Sequence, residues 1–521
     1  MVIAWIFVIG LIFVGSNVKA SAVYAKNLDG NVYLVILLSF LSSVAAINFD
    51  QGFEFHHDER FKTQEVKNYI SGQGASNLFH PDLLVILAFV LIKLLNTSEL
   101  SYVLVGRFIS CFAFCVSTWF VWRLAKILNF QYPYLAALIF CLNPAIYPQS
   151  FYFKEDMLLL MVGLGFITSC LNSRQIGWWQ GILFGLVLSA KHSGFLLAGI
   201  LIFLNKRLTL SFFLCAAVTY VLVHPKILVD PSLLASGLKY EWQHALRGEV
   251  VPASIWQFWG LFYIFRTFVP GFLYVLAPLV FMSLGFIWSK RDKPISSVVL
   301  VCVLWWFVKE MLPLKIEPNP ERYVLIPCAL LSIFFAEFVG WLFKNSAVFV
   351  CVVFGVFRVW HLFDILTDSR FELVKQLTKI SESKILVDAI LDHSYLKEGF
   401  VYETLGRPGY LAYAQALKTE KLRNYDYIIL TEFRFRYFIY WQLKASTNYK
   451  NEVFRGACES KRKLKQLVKS YGIYYESTKA FLPFGFHNPK TFIIKLAFPA
   501  DKEKVDWGYN IFWPLKVGGC S

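Results

Sequence analysis

Charged residues are scarce in this chain of 521 residues: 17% are charged, whereas 57% are hydrophobic. Soluble domains are roughly 45 to 50% apolar, so the composition excludes an ordinary soluble protein. The ten cysteines form no CxxC pair and no Cys/His pattern with zinc-ligand spacing. No segment repeats at a fixed period, and the two halves lack matched spans broken by Gly or Pro, which weakens a transporter interpretation.

Acidic residues are too few to balance the basic ones, and the formal net charge is +16. This excess does not indicate nucleic-acid binding, because many of the cations lie in short loops between apolar runs, where positive charge marks the cytoplasmic side of a membrane protein. Apolar runs able to cross a hydrocarbon core of about 30 Å recur as far as residue 361. We therefore predict a polytopic α-helical membrane protein with about twelve transmembrane helices over 1–363 and a C-terminal soluble α/β domain over 364–521.

The apolar runs predict these spans: 2–15, 31–48, 104–122, 133–148, 157–171, 178–190, 194–205, 208–224, 268–288, 296–313, 323–343 and 346–363. Basic residues fall on alternate loops, which places those loops in the cytoplasm. The first outer loop is then 49–103. Its apolar run 83–95 is interpreted as a re-entrant or interfacial helix, since a full span there would turn Arg123 and Lys126 outward.

The tail beyond residue 363 has the pattern of a small α/β domain. Residues 371–380 are helix-like, and the segments 384–389, 425–431 and 491–496 are rich in strand-forming residues. The alternation of loops places this domain on the outer side of the membrane.

The first outer loop carries the sequence FEFHHDERF, with Asp58 and Glu59 just beyond a predicted span. In one interpretation both acids simply stabilise a solvated helix N-terminus, where the helix dipole favours negative charge. The functional interpretation gains from Asp156, in Lys154-Glu155-Asp156 at the outer start of another span, since acids so close to hydrocarbon are candidates for function.

Two outward cations, Lys191 and Arg322, contradict the positive-inside pattern. Each alone is explained as well by snorkelling or by pairing with a nearby acid. Together with the two acids, they suit a phosphate leaving group and a deprotonated acceptor.

Five motifs occur in order over about the first 330 residues: HHDERF at 56–61, FHPDLL at 79–84, FYFKEDMLLL at 151–160, SAKHSGFLL at 189–197 and ERYVLIP at 321–327. They resemble the ordered landmarks of the GT-C membrane glycosyltransferases, and within them the branch of the protein O-mannosyltransferases and the lipid A aminoarabinose transferase. Two departures stand out: Asp82 replaces the second proline of His-Pro-Pro-Leu, and His192 occupies a position usually held by glycine.

The resemblance implies inverting transfer of a sugar from a polyprenyl-phosphate donor to a hydroxyl of a lipid, glycan or protein acceptor. Asp58 would be the general base, supported by Glu59, and Asp156 would orient the acceptor or a basic side chain. Lys191, Arg322 and Tyr323 would bind the donor phosphate.

His57, His80 and His192 would support the site. No cofactor is required, although His56, His57 and His80 leave room for a divalent metal. The motifs favour a bacterial inner membrane with a periplasmic C-terminal domain.

Two other functions fit the same composition. A secondary transporter or flippase of about twelve spans would use the four charged residues as substrate or coupling sites, but such sites lie near the membrane midplane. A non-catalytic envelope protein that retains the fold is the third alternative.

Overall fold

A computed structural model describes residues 31–47, 57–97, 102–143, 145–247, 282–287, 292–306, 325–343, 355–356, 384–388, 401–405, 425–431, 475–476 and 491–495. The chain divides into two compact units. One comprises Met1–Ala245, Gln257–Pro313 and Asn319–Phe363, and the other comprises Leu246–Trp256, Leu314–Pro318 and Asp364–Ser521.

The first unit is helical. Its described α-helices are α1 Asn31–Ala46, α2 His57–Ile70, α3 Leu83–Leu95, α4 Tyr102–Ile127, α5 Pro133–Leu142, α6 Glu155–Asn172, α7 Trp178–Ala190, α8 Gly199–Leu204, α9 Leu210–Val223, α10 Lys226–Val229, α11 Ser232–Arg247, α12 Lys293–Trp306 and α13 Leu325–Phe343. Two 3-10 helices, Tyr147–Phe151 and His192–Ala198, interrupt the series.

Three of these helices are long and apolar enough to cross a membrane: Tyr102–Ile127, Glu155–Asn172 and Leu325–Leu342. At about 1.5 Å per residue, even the shortest spans most of a hydrocarbon core. Helix α6 packs against both α4 and α7. Its first turn contains Glu155 and Asp156, so the packing of α6 fixes where these acids lie.

Helices α7 and α9 pack closely because glycine residues of α7 lie between them. A Cβ atom added to Gly185 would lie 2.7 Å from the carbonyl oxygen of Ala216, and one added to Gly181 would overlap the backbone of Phe212. The two backbones are therefore in contact, which fixes the position of α9 relative to α7.

Most predicted spans coincide with helices, and 178–190 does so to the residue. The predicted span 133–148 is too long, because α5 ends at Leu142. Asn143 leaves the helix with an extended backbone and accepts the N–H of Ala145 with its own side chain, a local bond that competes with the helix.

The prediction of one continuous helix over 194–205 is also wrong. A 3-10 helix occupies the first part, and the short helix α8 follows it. Residues 2–15 lie outside the described residues. So do nearly all of 346–363 and most of 268–288.

The second unit contains a five-stranded sheet with the order β2-β1-β3-β5-β4. Its strands are β1 Lys384–Asp388, β2 Val401–Leu405, β3 Tyr427–Thr431, β4 Tyr475–Glu476 and β5 Thr491–Lys495. Strand β1 is parallel to β2 and β3, whereas β5 is antiparallel to β3 and β4. The three predicted strands are confirmed, and the predicted helix 371–380 lies outside the described residues.

Candidate active site

Helix α2 begins at His57, so Asp58 and Glu59 belong to its first turn. Carboxylates are favoured there by the partial positive charge of the helix N-terminus. One turn later on the same helix face lies Lys62, four residues after Asp58. The side chains of His57 and Asp58, and all of Arg322 and Tyr323, lie outside the described residues.

Glu59 is fully buried and forms a two-pronged ion pair with Arg107 of α4. Arg107 Nε donates to Glu59 Oε1 at 2.9 Å and Nη2 donates to Oε2 at 2.7 Å. The backbone N–H of Phe153 also donates to Oε1, at 2.8 Å. Both side chains have 0% exposure. Since both oxygens are engaged, Glu59 joins α2, α4 and the segment before α6.

Gly106 completes this junction, because the ring of Phe153 lies where a side chain at position 106 would be. Phe153 is itself fully buried. The segment leading into α6 is therefore held by a backbone hydrogen bond to Glu59 and by ring packing on Gly106. Both contacts position Glu155 and Asp156, two and three residues further on.

Four buried charged residues meet beyond this junction. Lys191 Nζ lies 2.5 Å from Asp156 Oδ1 and 3.8 Å from Glu155 Oε1. Lys62 Nζ lies 3.3 Å from Glu155 Oε2. We call Lys62, Glu155, Asp156 and Lys191 the acid–lysine cluster; none is more than 9% exposed.

The acid–lysine cluster contains two acids and two lysines, so its charges balance. Buried charges require such partners. His80 approaches the same cluster from the first outer loop, with Nδ1 3.6 Å from Glu155 Oε1. Its side chain remains 45% exposed, so His80 is at the side open to water.

Asp82 is buried close to this cluster and accepts a hydrogen bond from Tyr69 Oη to Oδ2 at 3.0 Å. Burial raises the pKa of Asp82 to about 7, although the positive charge of Lys62 and the Tyr69 bond act in the opposite direction. The same burial, with the negative charge of Asp82, raises the pKa of Tyr69. Asp82, the departure from the proline motif, therefore adds an ionisable group to the site.

The loop 71–82 is fastened to neighbouring elements. His192 Nε2 donates to the carbonyl of Leu78 at 3.0 Å, and Lys226 Nζ donates to the carbonyl of Ala75 at 2.6 Å. The rings of Phe79 and Tyr240 stack with centroids 4.1 Å apart. His192 thus contacts the loop backbone, and these bonds hold His80 beside the cluster.

The structure brings together three of the predicted residues, Asp156, Lys191 and His80. Glu59 lies in its own ion pair with Arg107. Sequence reasoning missed the role of Arg107, yet a charged residue in the apolar run YVLVGRFIS is itself a functional signal. It also did not assign roles to Glu155 and Lys62, which are central to the observed cluster.

Among the described residues, no group of three or more His, Cys, Asp or Glu side chains is arranged to hold a metal ion. His56 and the side chain of His57, two of the three histidines named for a divalent metal, lie outside the described residues.

Among solved structures, ArnT from Cupriavidus metallidurans bound to undecaprenyl phosphate aligns over 91% of this chain and 99% of its own, with a TM-score of 0.51 and 12% identity. Its apo state aligns over 90% and 98%, with a TM-score of 0.50 and 11% identity. The chain has the fold of ArnT. The fold that the five motifs predict is thereby confirmed.

The oligosaccharyltransferase of Archaeoglobus fulgidus, in complex with Zn and sulfate, aligns over 87% of this chain and 72% of its own at 12% identity, with a TM-score of 0.47. No protein-family model matches the chain, and no curated protein matches its sequence. The likeness to ArnT is therefore one of fold.

Proposed function

We propose that this protein is an integral membrane glycosyltransferase that moves a sugar from a polyprenyl-phosphate donor to a hydroxyl acceptor. The observation that carries the proposal is the acid–lysine cluster at the first turn of α6, in a chain with the fold of ArnT. ArnT from C. metallidurans binds undecaprenyl phosphate, which supports a lipid phosphate as the donor.

Asp58 acts as the general base in this proposal. It takes the proton of the acceptor hydroxyl while that oxygen forms a bond to the anomeric carbon. The bond from that carbon to the phosphate oxygen breaks, and its electron pair leaves with the polyprenyl phosphate. Attack opposite to the leaving group inverts the anomeric centre.

Lys191 binds the phosphate, together with Arg322 and Tyr323. Fixed positive charge at the leaving oxygen stabilises the transition state, where negative charge develops. Lys191 is aimed by Asp156 at 2.5 Å, so Asp156 orients this lysine. Lys62 and His80 surround Glu155 on the other side, and Lys62 adds positive charge next to the leaving phosphate.

Glu59 holds the backbone next to Asp58 in place. Its two bonds to Arg107 and its bond to Phe153 fix the first turn of α2, in which Asp58 is the neighbouring residue. His57 and His192 have supporting roles, His192 through the carbonyl of Leu78.

We further propose a transmembrane catalytic domain over 1–363, with about twelve spans and the first outer loop at 49–103. An extracytoplasmic α/β domain over 364–521 follows. The parallel pairing of β1 with β2 and β3 supports that domain class, because parallel strands are joined by crossovers that are usually helical. The proposed location is a bacterial inner membrane with this domain in the periplasm.

The acceptor is a lipid, a glycan or a protein, and the sugar is a hexose or a pentose. The proposed chemistry needs no metal, because lysine and arginine supply the positive charge, although His56, His57 and His80 leave room for a divalent ion. A transporter is less well supported. The acid–lysine cluster lies at the first turn of α6, whereas transporter sites lie near the membrane midplane.

The test is transfer of radiolabelled sugar from a panel of polyprenyl-phosphate sugars, in membranes with their native acceptors, by wild type and Asp58→Asn. We expect transfer from at least one donor by wild type and its loss in Asp58→Asn. The matched control is Asp292→Asn, at an exposed residue before α12, where asparagine also caps a helix. Full activity of Asp58→Asn would show that Asp58 is not the general base. No transfer from any donor by well-inserted wild type would contradict the proposed function.

A further inference from the structure

A second group of polar side chains is buried beside the acid–lysine cluster and has no part in the chemistry above. His224, which follows the last residue of α9, is 2% exposed. Neither of its ring nitrogens has a hydrogen-bond partner within the described part of the chain. Tyr220 lies one turn earlier, with its ring centroid 4.7 Å from that of His224.

Tyr220 Oη is also buried and, as far as the described residues extend, makes no hydrogen bond. A buried polar atom without a partner costs about 1 to 3 kcal/mol. Native proteins therefore pair such groups with protein, water or ligand. Three polar atoms on two side chains one turn apart, unpaired among the described residues, indicate that a water or a ligand completes their bonds.

Asp82 is the third member of this group. Its carboxylate interacts electrostatically with Tyr220 and with Lys62 of the acid–lysine cluster. Asp82 is 2% exposed. It lies two residues after His80, whose ring reaches Glu155. The group therefore adjoins the cluster on the side of the first outer loop.

The enclosure of this group is fixed by the protein. Lys226, two residues after His224, binds the carbonyl oxygens of Gln73 and Ala75, and His192 binds the carbonyl of Leu78. The loop 71–82 is thus held next to the end of α9.

We propose that Tyr220, His224 and Asp82 form a subsite that binds the hydroxyl groups of a sugar. This inference rests on the proposed function, for which it supplies the determinants of sugar specificity. A sugar presents several hydroxyls, each of which both donates and accepts a hydrogen bond. Asp82 accepts, Tyr220 does both, and the two ring nitrogens of a neutral His224 supply one donor and one acceptor.

The chemistry of these three side chains disfavours the other parts of the substrates. Asp82, Tyr220 and a neutral His224 supply no positive charge for a phosphate, and the cations that suit it lie in the neighbouring acid–lysine cluster. A polyprenyl chain offers no hydrogen bonds and would leave the buried polar atoms unpaired. The subsite therefore fits the sugar.

The first experiment measures the thermal midpoint Tm of the full-length protein in detergent, with and without methyl glycosides of hexoses and pentoses. A ligand that binds the folded state raises Tm by mass action. We expect at least one glycoside to raise the Tm of wild type by about 1 to 2 °C and to lose this effect in Tyr220→Phe and in His224→Phe. The control Tyr33→Phe removes a hydroxyl at a side chain with 65% exposure and keeps the shift.

The second experiment compares kcat/KM for the active donor and for analogues that each lack one sugar hydroxyl. If Tyr220 binds a hydroxyl, Tyr220→Phe and the matching deoxy donor each lower kcat/KM by about 2- to 10-fold, and the two changes together lower it no further. Losses that multiply for every analogue would show that Tyr220 contacts no sugar hydroxyl.

The two proposals fail separately. A glycoside-dependent shift in Tm that needs Tyr220, without any sugar transfer, would retain the subsite and overturn the enzyme. Sugar transfer by wild type, with no glycoside shift and no coupling to the deoxy donors, would retain the enzyme and assign the unpaired atoms to buried water.

Discussion

Glu59 and Arg107, 48 residues apart in the chain, form a fully buried two-pronged ion pair with bonds of 2.9 and 2.7 Å. The pair connects the helix that carries Asp58 to the long apolar helix α4. The bond from the Phe153 N–H to Glu59 extends the connection to the start of α6. The two acidic motifs of the sequence therefore belong to one structural unit.

Loss of one partner of this pair should destabilise the fold. Arg107→Met leaves the Glu59 carboxylate buried without its cation, which typically costs about 3 to 5 kcal/mol, a large part of a typical stability of about 5 to 15 kcal/mol. We expect a lower Tm in detergent and a loss of folded protein. The double variant Glu59→Gln/Arg107→Met should recover part of the loss, because no buried charge remains and glutamine still accepts the Phe153 N–H. A single variant as stable as wild type would contradict this role.

Gly106→Ala tests the packing of Phe153. The added methyl group overlaps the Phe153 ring, and overpacking of this kind typically costs about 1 to 3 kcal/mol. We expect lower Tm and, at temperatures where the protein stays folded, lower sugar transfer, because the segment before Glu155 shifts. Gly285→Ala is the matched control, since a Cβ at Gly285 meets no atom within 4 Å. Equal behaviour of the two variants would show that Phe153 is free to move.

Asp82 should make stability depend on pH. Its pKa is raised from 3.8 to about 7 in the folded protein, so between these values the folded state binds a proton that the unfolded state does not. The resulting stabilisation is complete below about pH 4 and is lost as the pH rises through 7. Asp82→Asn carries no such charge and still accepts from Tyr69.

The difference in Tm between Asp82→Asn and wild type should therefore rise in favour of the variant between about pH 4 and pH 7. Asp292→Asn provides the comparison at an exposed carboxylate. A difference that is independent of pH for Asp82→Asn would show that Asp82 ionises normally in the folded protein.

Lys191 should be needed for use of the donor. Lys191→Met removes the positive charge nearest to Asp156, and loss of one group that stabilises developing charge lowers kcat by about 100- to 1,000-fold. Lys191→Arg keeps the charge and should retain more activity than Lys191→Met. The measurement is initial rate against donor concentration with correctly inserted protein. Equal rates for wild type and Lys191→Met would place the phosphate elsewhere.

Local sequence patterns predicted the helices well, because apolar periodicity and length are properties of short segments. Helix α7 was predicted to the residue, and strands β1, β3 and β5 followed from runs of β-branched residues. The end of α5 was missed because it depends on one hydrogen bond from the side chain of Asn143 to the N–H of Ala145, which competes with helical continuation.

The site was predicted only in part, because its contacts join residues far apart in sequence. The motif order grouped Asp156, Lys191 and His80, which the structure also brings together. The partner of Glu59 was not predictable from its motif, since Arg107 lies on another helix. His224 and Tyr220 were not predicted as site residues, because a sequence does not show whether a polar side chain has hydrogen-bond partners in the fold. Only the fold reveals that, in the described part of the chain, their polar atoms lack partners.

The role of Glu155 can be tested, because this carboxylate either competes with the donor phosphate for the nearby cations or holds those cations in place for it. Lys62, Lys191 and His80 all approach this one carboxylate, at 3.3, 3.8 and 3.6 Å, which are longer than a normal hydrogen bond. If Glu155 occupies the cations until the donor phosphate arrives, Glu155→Gln should remove one of the two negative charges that oppose them. The affinity for undecaprenyl phosphate should then rise by about tenfold, which corresponds to 1.4 kcal/mol.

The same variant should be less stable without ligand, because two lysines then share the single charge of Asp156. Undecaprenyl phosphate should consequently raise Tm more in Glu155→Gln than in wild type. Asp156→Asn is the matched control: it removes a carboxylate from the same turn but releases Lys191 from its 2.5 Å partner, so donor affinity should not improve. If instead Glu155→Gln binds undecaprenyl phosphate more weakly than wild type, Glu155 holds the lysines in place for the phosphate and does not compete with it.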